Sequence, residues 1–206
     1  VGVEFRETTV DVEKGGAGIA ALVTAEGQRL TADLYVDASG FRSELVGQAL
    51  EEPFVDYSDT LFCDRAVIGG WNRDEEPIHP YTIAETMDAG WCWQIEHETF
   101  INRGYVYSSS FTSDEEAKEE FLRKNPKAPK EPRVVPFRSG RLRRNWVGNV
   151  VAVGNAAGFV EPLEATALQV ISVEVSSLAD GLLDAGGEPT PSLKKIYNHY
   201  IATQWD

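Results

Sequence analysis

The sequence predicts a mixed α/β protein that combines part of a doubly wound domain with an antiparallel sheet and C-terminal helices. Two short apolar runs, LYVD at 34–37 and VVAV at 150–153, are typical of buried parallel strands. Aromatic-rich runs with strand-like composition fill much of the chain between them. From residue 166 onward, apolar residues recur at helical spacing. These observations indicate two sheet-containing regions followed by helices.

The first 37 residues are predicted to form a β-meander. Three runs alternate apolar and polar positions: VGVEFRETTVDVE, GIAALVTAEG and QRLTADLYVDASG. Gly15 with Gly16, and Glu26 with Gly27, suit the tight turns between these runs. The third run ends in the apolar LYVD stretch, so we expect it to lead into the doubly wound core.

Residues 53–145 are predicted to form a second, antiparallel sheet. The strand candidates are DTLFCDRAVIGGW, PYTIAETMDAGWCWQIE and GYVYSSSFTS. A short helix is expected from Ser113, because Ser113 and Glu116 form a capping box and Pro126 follows as a stop signal.

Two further helices are predicted near the end of the chain. The first shows three- and four-residue spacing of Leu168, Ile171, Val175, Leu178 and Leu182, and Gly186 marks its end. The second is expected to begin near Pro191, because proline is favoured in the first turn of a helix.

The composition excludes several classes of partner and site. The chain carries 19 Lys and Arg against 33 Asp and Glu, and its net charge of −14 repels phosphate backbones and anionic lipid headgroups. Because it has neither an unbroken apolar run of about 18 residues nor a signal-like start, we expect a cytoplasmic protein without nucleic-acid or membrane partners. Neither the two cysteines nor the three histidines have metal-ligand spacing, so no metal site is expected.

The stretch GNAAGFVEPLEATAL, at 154–168, carries the strongest chemical signal. Its glycines and alanines keep the backbone bare, so a flat or extended ligand can approach closely. The stretch leads into a helix N-terminus, where unpaired N–H groups and the positive helix end bind anions. Glu164 adds a carboxylate that can serve as a base or an electrostatic stabiliser. Alternatively, Glu161 and Glu164 only favour the helix N-terminus electrostatically.

Four stretches together resemble the flavin-dependent halogenases of the tryptophan halogenase type, within the FAD monooxygenases of the hydroxybenzoate hydroxylase fold. GNAAGFVEPLEATAL resembles the family's C-terminal flavin motif, and GWCWQIE at 90–96 resembles its W-x-W-x-I-P signature. DLYVDASGFRSEL at 33–45 is similar to its D-x-S-G-F-R turn, and GRLRRNWVGNVVAVGNA at 140–156 to the approach to the flavin motif. The stretches occur in the family's order and cover most of residues 30–185.

The resemblance implies an enzyme that uses reduced FAD, oxygen and chloride or bromide to halogenate a small aromatic or other electron-rich substrate. A separate flavin reductase would supply the reduced FAD. Glu164 would be the catalytic carboxylate, and the backbone amides of Thr166 and Ala167 would bind the halide. The residues that would contact the flavin are Gly154, Asn155, Ala156, Pro162 and Gly40.

The tryptophan signature and the glycine turn also have plainer explanations. In the family, Trp91, Trp93 and Ile95 would shield the flavin from the organic substrate. These three residues also fall on one face of a strand by period 2, as ordinary sheet aromatics would. Gly40 is expected in a turn that requires a positive φ, and an ordinary turn at the end of a strand is the alternative explanation for this residue.

The resemblance also implies a domain organisation. Residues 1–50 and 146–185 would be parts of the FAD-binding domain, 51–145 the substrate-domain sheet, and 186–206 the start of a C-terminal helical region. No G-x-G-x-x-G follows a first strand, and no lysine lies in a motif that matches the family's catalytic lysine. The chain would therefore be a partial one, lacking the N-terminal FAD-binding motif and inactive alone.

Three positions depart from the family pattern and keep two other interpretations open. Glu96 stands for a proline, Ala165 for a serine and Ala167 for a glycine. These changes favour an FAD-dependent monooxygenase or oxidoreductase of the same fold that uses no halide. A third possibility is a non-catalytic module that binds a partner through its aromatic sheet. Halide dependence and FAD binding distinguish the three.

Overall fold

The computed structural model describes residues 2–16 and 18–206 of the chain. These residues form two compact units, each built from several segments. Unit 1 comprises Val1–Val55, Arg141–Phe159 and Ala167–Asp206, and unit 2 comprises Asp56–Gly140 and Val160–Thr166.

Fourteen strands and three α-helices occur within the described residues. The first nine strands are β1 (Val10–Gly15), β2 (Gly18–Thr24), β3 (Arg29–Leu30), β4 (Tyr35–Asp37), β5 (Phe54–Asp56), β6 (Arg65–Asn72), β7 (Ile83–Met87), β8 (Gly90–Glu96) and β9 (Phe100–Tyr107). The remaining elements are α1 (Asp114–Lys124), β10 (Arg133–Pro136), β11 (Gly140–Leu142), β12 (Trp146–Val147), β13 (Val150–Ala152), β14 (Gly158–Phe159), α2 (Thr166–Asp184) and α3 (Pro191–Trp205). Three short helical turns connect strands of unit 1: Gly40–Arg42, Glu44–Ala49 and Gly154–Ala156.

The N-terminal strands of unit 1 form the predicted meander, with antiparallel strands in the order β1-β2-β3. Strand β1 begins only at Val10, so residues 2–9 of the first predicted run are not part of a strand. Gly27, in the second turn, has a φ of 80°, a left-handed conformation that glycine adopts readily. The first turn includes Ala17, which lies outside the described residues. The predicted third run divides, because Arg29–Leu30 stays with the meander while Tyr35–Asp37 joins another sheet.

The two apolar runs form strands, as their composition predicted, and the structure pairs them as parallel neighbours in unit 1. The sheet order is β12-β13-β4, with β13 parallel to β4 and antiparallel to β12. Val150, Val151 and Ala152 are fully buried. A further sheet has the order β14-β11-β5.

Unit 2 is an antiparallel sheet in the order β10-β6-β9-β8-β7. Phe121 of α1 packs with Cys92 and Tyr105 in the core of this unit. The capping box is present: the Ser113 hydroxyl accepts from the N–H of Glu116 at 3.2 Å, and the Glu116 carboxylate accepts from the N–H of Ser113 at 2.9 Å. The mixed α/β fold with antiparallel sheets and C-terminal helices is therefore confirmed.

Helix α2 has the predicted extent, but its buried face differs from its apolar spacing. Gly186 follows it with a φ of 67°. Leu178 is buried as the pattern suggests, whereas Leu168 and Val175 are 68% and 51% exposed. The buried positions lie four residues apart, at Val170, Glu174 and Leu178. A glutamate thus occupies the middle of the core-facing stripe.

Among the described residues, α2 alone is long and apolar enough to cross a membrane. An 18-residue stretch of α2 has a mean hydropathy of 1.2, and 17% of that stretch is buried. It reaches this value although polar residues interrupt the apolar ones, which is why no unbroken run marked it in the sequence. Core helices can meet the same test, so length and composition establish no more.

Helix α3 begins as predicted, with Pro191 in its first turn. The hydroxyl of Thr190 accepts from the N–H of Leu193 at 3.1 Å and caps the helix. Tyr197, Ile201 and Trp205 are buried, so these residues pack α3 against the rest of unit 1.

Candidate functional site

Two glycine turns lie at the same edge of a sheet in unit 1. The turn Gly40–Arg42 follows β4, and the turn Gly154–Ala156 follows β13. Because these strands are parallel, their carboxyl ends meet, and the N–H of Val153 donates to the carbonyl of Asp37 at 3.0 Å. Gly40 and Gly154 have φ values of 69° and 62°. The expectation of a positive φ at Gly40 is confirmed.

Asp37, which the sequence analysis did not single out, organises the first of these turns. Its side chain is buried, and its Oδ1 accepts from the N–H and the hydroxyl of Ser39 at 3.1 and 2.5 Å. Its Oδ2 accepts from the N–H groups of Leu45 and Val46 at 2.8 and 2.9 Å. Its position between the LYV run and the S-G-F-R turn was the available sequence signal.

Glu174, on α2, holds the second turn. Its Oε2 accepts from the N–H of Gly154 at 2.6 Å, and its Oε1 accepts from Asn145 Nδ2 at 3.0 Å and Trp205 Nε1 at 3.3 Å. Burial raises the pKa of this carboxyl to about 7, although the three N–H donors act in the opposite direction. The sequence signal was a charged residue on the same helical stripe as Val170 and Leu178.

Unit 1 thus brings together four of the residues predicted to contact flavin: Gly40, Gly154, Asn155 and Ala156. Gly154 and Ala156 are buried, and Asn155 is half-buried. Near them, Val36 and Phe41 expose 50% and 53% of their surface. Phe41 also makes an edge-to-face contact with Phe159, with ring centroids 5.0 Å apart.

The tryptophan signature lies on β8 in unit 2, with Trp91, Trp93 and Ile95 at alternate positions. The two indole centroids are 6.2 Å apart, and Ile95 is 39% exposed. Trp93 Nε1 donates to Asn102 Oδ1 at 2.8 Å. Its ring lies over Gly104 of β9, where an added Cβ would be 2.0 Å from Trp93 Cζ2. The absence of a side chain at residue 104 therefore makes room for Trp93.

Glu161 connects the 160–166 segment of unit 2 to this aromatic strand. Its Oε2 accepts from Trp91 Nε1 at 2.9 Å. It also faces Cys63, whose thiol pKa is raised to about 12, first by burial and then by the Glu161 carboxylate. Helix α2 begins at Thr166 with no acidic residue in its first turn, so neither Glu161 nor Glu164 lies inside that turn.

The remaining predicted residues surround the start of α2. Pro162 and Glu164 are exposed in unit 2. Ala165 has a φ of 54°, and its N–H donates to the carbonyl of Pro162 at 3.2 Å, which closes a turn before the helix. Thr166 and Ala167 are the first helical residues, and the boundary between the two units falls between them. First-turn amides have no partner within their own helix.

Glu96, which replaces the family's proline, has a specific partner in unit 2. Arg73 donates to Glu96 Oε2, and Gln94 Nε2 donates to its Oε1 at 2.6 Å. The guanidinium also donates to the backbone carbonyls of His97, Glu76 and Pro77 at 2.9 to 3.0 Å. Arg73 holds the pKa of Glu96 below its ordinary value. Across residues 2–16 and 18–206, no three His, Cys, Asp or Glu side chains are grouped as metal ligands.

Comparisons with known proteins agree along the whole chain. A family model for tryptophan halogenase matches residues 1–206. Tryptophan 7-halogenase KtzQ from Kutzneria sp. (strain 744) is 42% identical over 203 residues, covering 97% of this chain and 38% of that protein. The structure of MibH, a lathipeptide tryptophan 5-halogenase, is similar with a TM-score of 0.88 and 41% identity, covering 97% of this chain and 38% of that one.

BrvH, a flavin-dependent halogenase from Brevundimonas sp. BAL3, has a TM-score of 0.83 and 30% identity, covering 96% of this chain and 40% of its own. The chain therefore spans about two fifths of the length of these relatives. With a family match over its full length and relatives above 40% identity, the chain belongs to the tryptophan halogenase family.

Proposed function

We propose that this chain forms part of a flavin-dependent halogenase, in which unit 1 belongs to the FAD-binding domain and unit 2 to the substrate-domain sheet. The observation that carries the proposal is the pair of left-handed turns, at Gly40 and Gly154, beyond the carboxyl ends of β4 and β13. Doubly wound sheets bind their ligands at this edge. The C-terminal residues 186–206, largely α3, would begin the helical region that follows.

The residues at this edge are suited to a flavin. A Cβ added at Gly40 would meet nothing within 4 Å, so the backbone there is open to a ligand. The exposed surfaces of Val36 and Phe41 are apolar, as a flat ring system requires. We assign flavin contact to Gly40, Gly154, Asn155, Ala156 and Pro162.

Bound reduced FAD would supply two electrons and two protons, which, with oxygen, a chloride or bromide ion and one further proton, would give hypohalous acid and water. The amides of Thr166 and Ala167 would hold the halide, because unpaired N–H groups and the positive end of α2 attract anions. Trp91, Trp93 and Ile95 would keep the organic substrate away from the flavin.

Glu164 would act at the substrate. Hypohalous acid transfers its halogen to an electron-rich ring carbon, and the ring proton leaves with the hydroxide as water. The exposed Glu164 carboxylate would orient the O–H of the acid, accept the ring proton and pass it to the departing hydroxide. The substrate would be a small aromatic molecule, a separate reductase would supply the reduced FAD, and the enzyme would work in the cytoplasm.

The test uses the full-length protein that contains this segment, a flavin reductase and a panel of aromatic substrates, with and without bromide. We expect a product with a bromine isotope doublet in the mass spectrum only when bromide is present. Oxygen insertion that is independent of bromide would contradict the proposal and favour a monooxygenase. A protein that neither binds FAD nor forms product would favour a partner-binding module.

The Glu164→Gln variant tests the assigned carboxylate. We expect the halogenation rate to fall about 10²–10⁴-fold, the usual effect of removing a general acid or base. Glu188→Gln, which changes another exposed carboxylate, is the matched control and should keep the wild-type rate. Equal rates for the two variants would remove Glu164 from the mechanism.

A further inference from the structure

We propose that Glu174 is a positioning residue for the flavin turn: its ionised carboxylate holds the amide of Gly154 and thereby fixes the left-handed turn. The inference rests on the proposed function only for the identity of the ligand that this turn binds. It assigns a role to a buried acid that takes no part in the chemistry described above.

The surroundings of Glu174 consist of neutral donors. Its side chain is fully buried, and its three side-chain partners are the N–H of Gly154, Asn145 Nδ2 and Trp205 Nε1. The titratable group that α3 presents is Tyr197, whose hydroxyl donates to the backbone carbonyl of Glu174 at 3.3 Å. Within the described part of the chain, no Lys, Arg or His forms an ion pair with this carboxylate.

The arrangement fits the ionised form. Three N–H groups point at the two carboxylate oxygens, and a carboxylate is an acceptor at both. Protonation would convert one oxygen into a donor that faces another donor. Burial opposes ionisation and brings the pKa to about 7, so the carboxyl changes charge near neutral pH.

The contact with Gly154 acts directly on the turn. Gly154 has a φ of 62°, and its N–H accounts for the shortest of the three contacts to Glu174, at 2.6 Å. A hydrogen bond to a charged acceptor is shorter and stronger than one to a neutral acceptor. Ile171, one helical turn before Glu174, lies beneath the same residue, at 3.4 Å from a Cβ placed there. Helix α2 therefore supports the turn by packing and by charge, while Trp205 links α3 to the same carboxylate.

The first test is a ¹⁵N NMR titration of this chain between pH 5 and 9. We expect the amide shift of Gly154 to change with a midpoint near pH 7. Glu174→Gln should abolish this change, because glutamine has no titratable proton and only one acceptor oxygen for two sets of donors. Asp180→Asn, at an exposed carboxylate on α2, is the control and should keep it. A Gly154 amide shift that is the same in wild type and Glu174→Gln across this pH range would overturn the proposal.

Trp205→Phe tests the same link while Glu174 stays in place. The variant removes one donor to Oε1, which destabilises the ionised carboxylate. The midpoint of the Gly154 titration should therefore move to higher pH. An unchanged or lower midpoint would contradict the coupling of α3 to the turn.

Flavin affinity provides the second readout, measured as the FAD dissociation constant of the full-length protein. Glu174→Gln should weaken binding about tenfold through the misplaced turn, and Asp180→Asn should bind as wild type. Equal affinity of Glu174→Gln and wild type would overturn the positioning role. A wild-type protein that binds no FAD would instead contradict the proposed function, and the NMR titration would still decide whether Glu174 holds Gly154.

Discussion

Two shielded carboxylates, one in each unit, have pKa values displaced in opposite directions. Glu174 in unit 1 accepts from neutral N–H donors, and burial raises its pKa to about 7. Glu96 in unit 2 accepts from the guanidinium of Arg73, and its pKa falls below its ordinary value. At Glu174 burial outweighs the hydrogen bonds from neutral donors, whereas at Glu96, where burial has a smaller effect, the hydrogen bonds from Arg73 and Gln94 outweigh it. The two units place acidic side chains in protected positions by different physical means.

The difference matches what each carboxylate touches. Glu174 contacts a turn assigned to ligand binding, where a charge that changes near neutral pH can alter the turn. Glu96 anchors Arg73, which in turn holds the carbonyls of the 76–77 segment and of His97. Unit 2 thus uses an ion pair that stays charged at neutral pH to secure a loop.

The pH dependence of stability gives the largest expected contrast. Because the folded-state pKa of Glu174 is raised, its contribution to the free energy of unfolding is complete below about pH 4.5. That contribution, on the order of 3 kcal/mol, is lost as the pH rises through about 7. Urea unfolding should therefore show wild type losing more stability than Glu174→Gln between pH 5 and 8. If the free energies of unfolding of wild type and Glu174→Gln changed equally with pH, the raised pKa of Glu174 would have no effect on stability, contrary to this prediction.

Glu96→Gln tests the opposite case. The variant leaves the Arg73 guanidinium with its carbonyl acceptors but without its counter-charge. We therefore expect the free energy of unfolding to fall by about 2 kcal/mol at pH 7. Because the pKa of Glu96 is lowered, its stabilisation is present above about pH 4.5 and disappears as the pH falls below that value. The two proteins should therefore have similar free energies of unfolding below about pH 4.5. Glu98→Gln, at an exposed neighbour, is the control, and a loss that persists in acid would count against the ion pair.

Gly104→Ala asks whether packing, rather than charge, holds the aromatic face of unit 2. An added Cβ would be 2.0 Å from Trp93 Cζ2, so the indole must move away from its Asn102 partner. We expect a destabilisation of about 1–2 kcal/mol, measured by urea unfolding. Gly2→Ala, where a Cβ meets nothing within 4 Å, should be neutral. A tolerated alanine at residue 104 would show that Trp93 is not fixed by this contact.

Glu161→Gln gives the smallest effect, a change in the reactivity of Cys63. Removing the carboxylate should lower the thiol pKa from about 12, so more thiolate forms and alkylation at pH 9 becomes about threefold faster. Trp91→Phe should keep the slow rate because the Glu161 charge remains. Cys92, whose pKa of about 11 comes mainly from burial, is the internal control in peptide mass spectrometry. An unchanged Cys63 rate would show that burial alone sets its pKa.

Local signals in the sequence located much of the candidate site. Gly154 and Gly40 were identifiable as turn residues, and both have the left-handed backbone conformation that glycine adopts readily. Ser113 and Glu116 predicted a helix start because their bonds span three residues. The helical spacing of α2 was equally clear, but its buried stripe runs through Val170 and Glu174 instead of Leu168 and Val175.

The carboxylate partners were not identifiable in this way. Glu96 and Arg73 are 23 residues apart, Trp91 and Glu161 are 70 apart, and Glu174 meets Gly154 across 20 residues. Nothing in the local composition pairs these residues, because their contacts form only when strands, turns and helices pack together.

The sequence by itself determined the fold class, the family and the positions of the glycine turns and capped helices, because backbone conformation and strand pattern depend on neighbouring residues. Only the tertiary structure decided which acidic residues are buried, what they accept from and in which direction their pKa values move. Those properties depend on solvent exclusion and on the charge of a partner distant in the chain. Glu96 beside a guanidinium and Glu174 among neutral N–H groups are the same amino acid with opposite electrostatic behaviour.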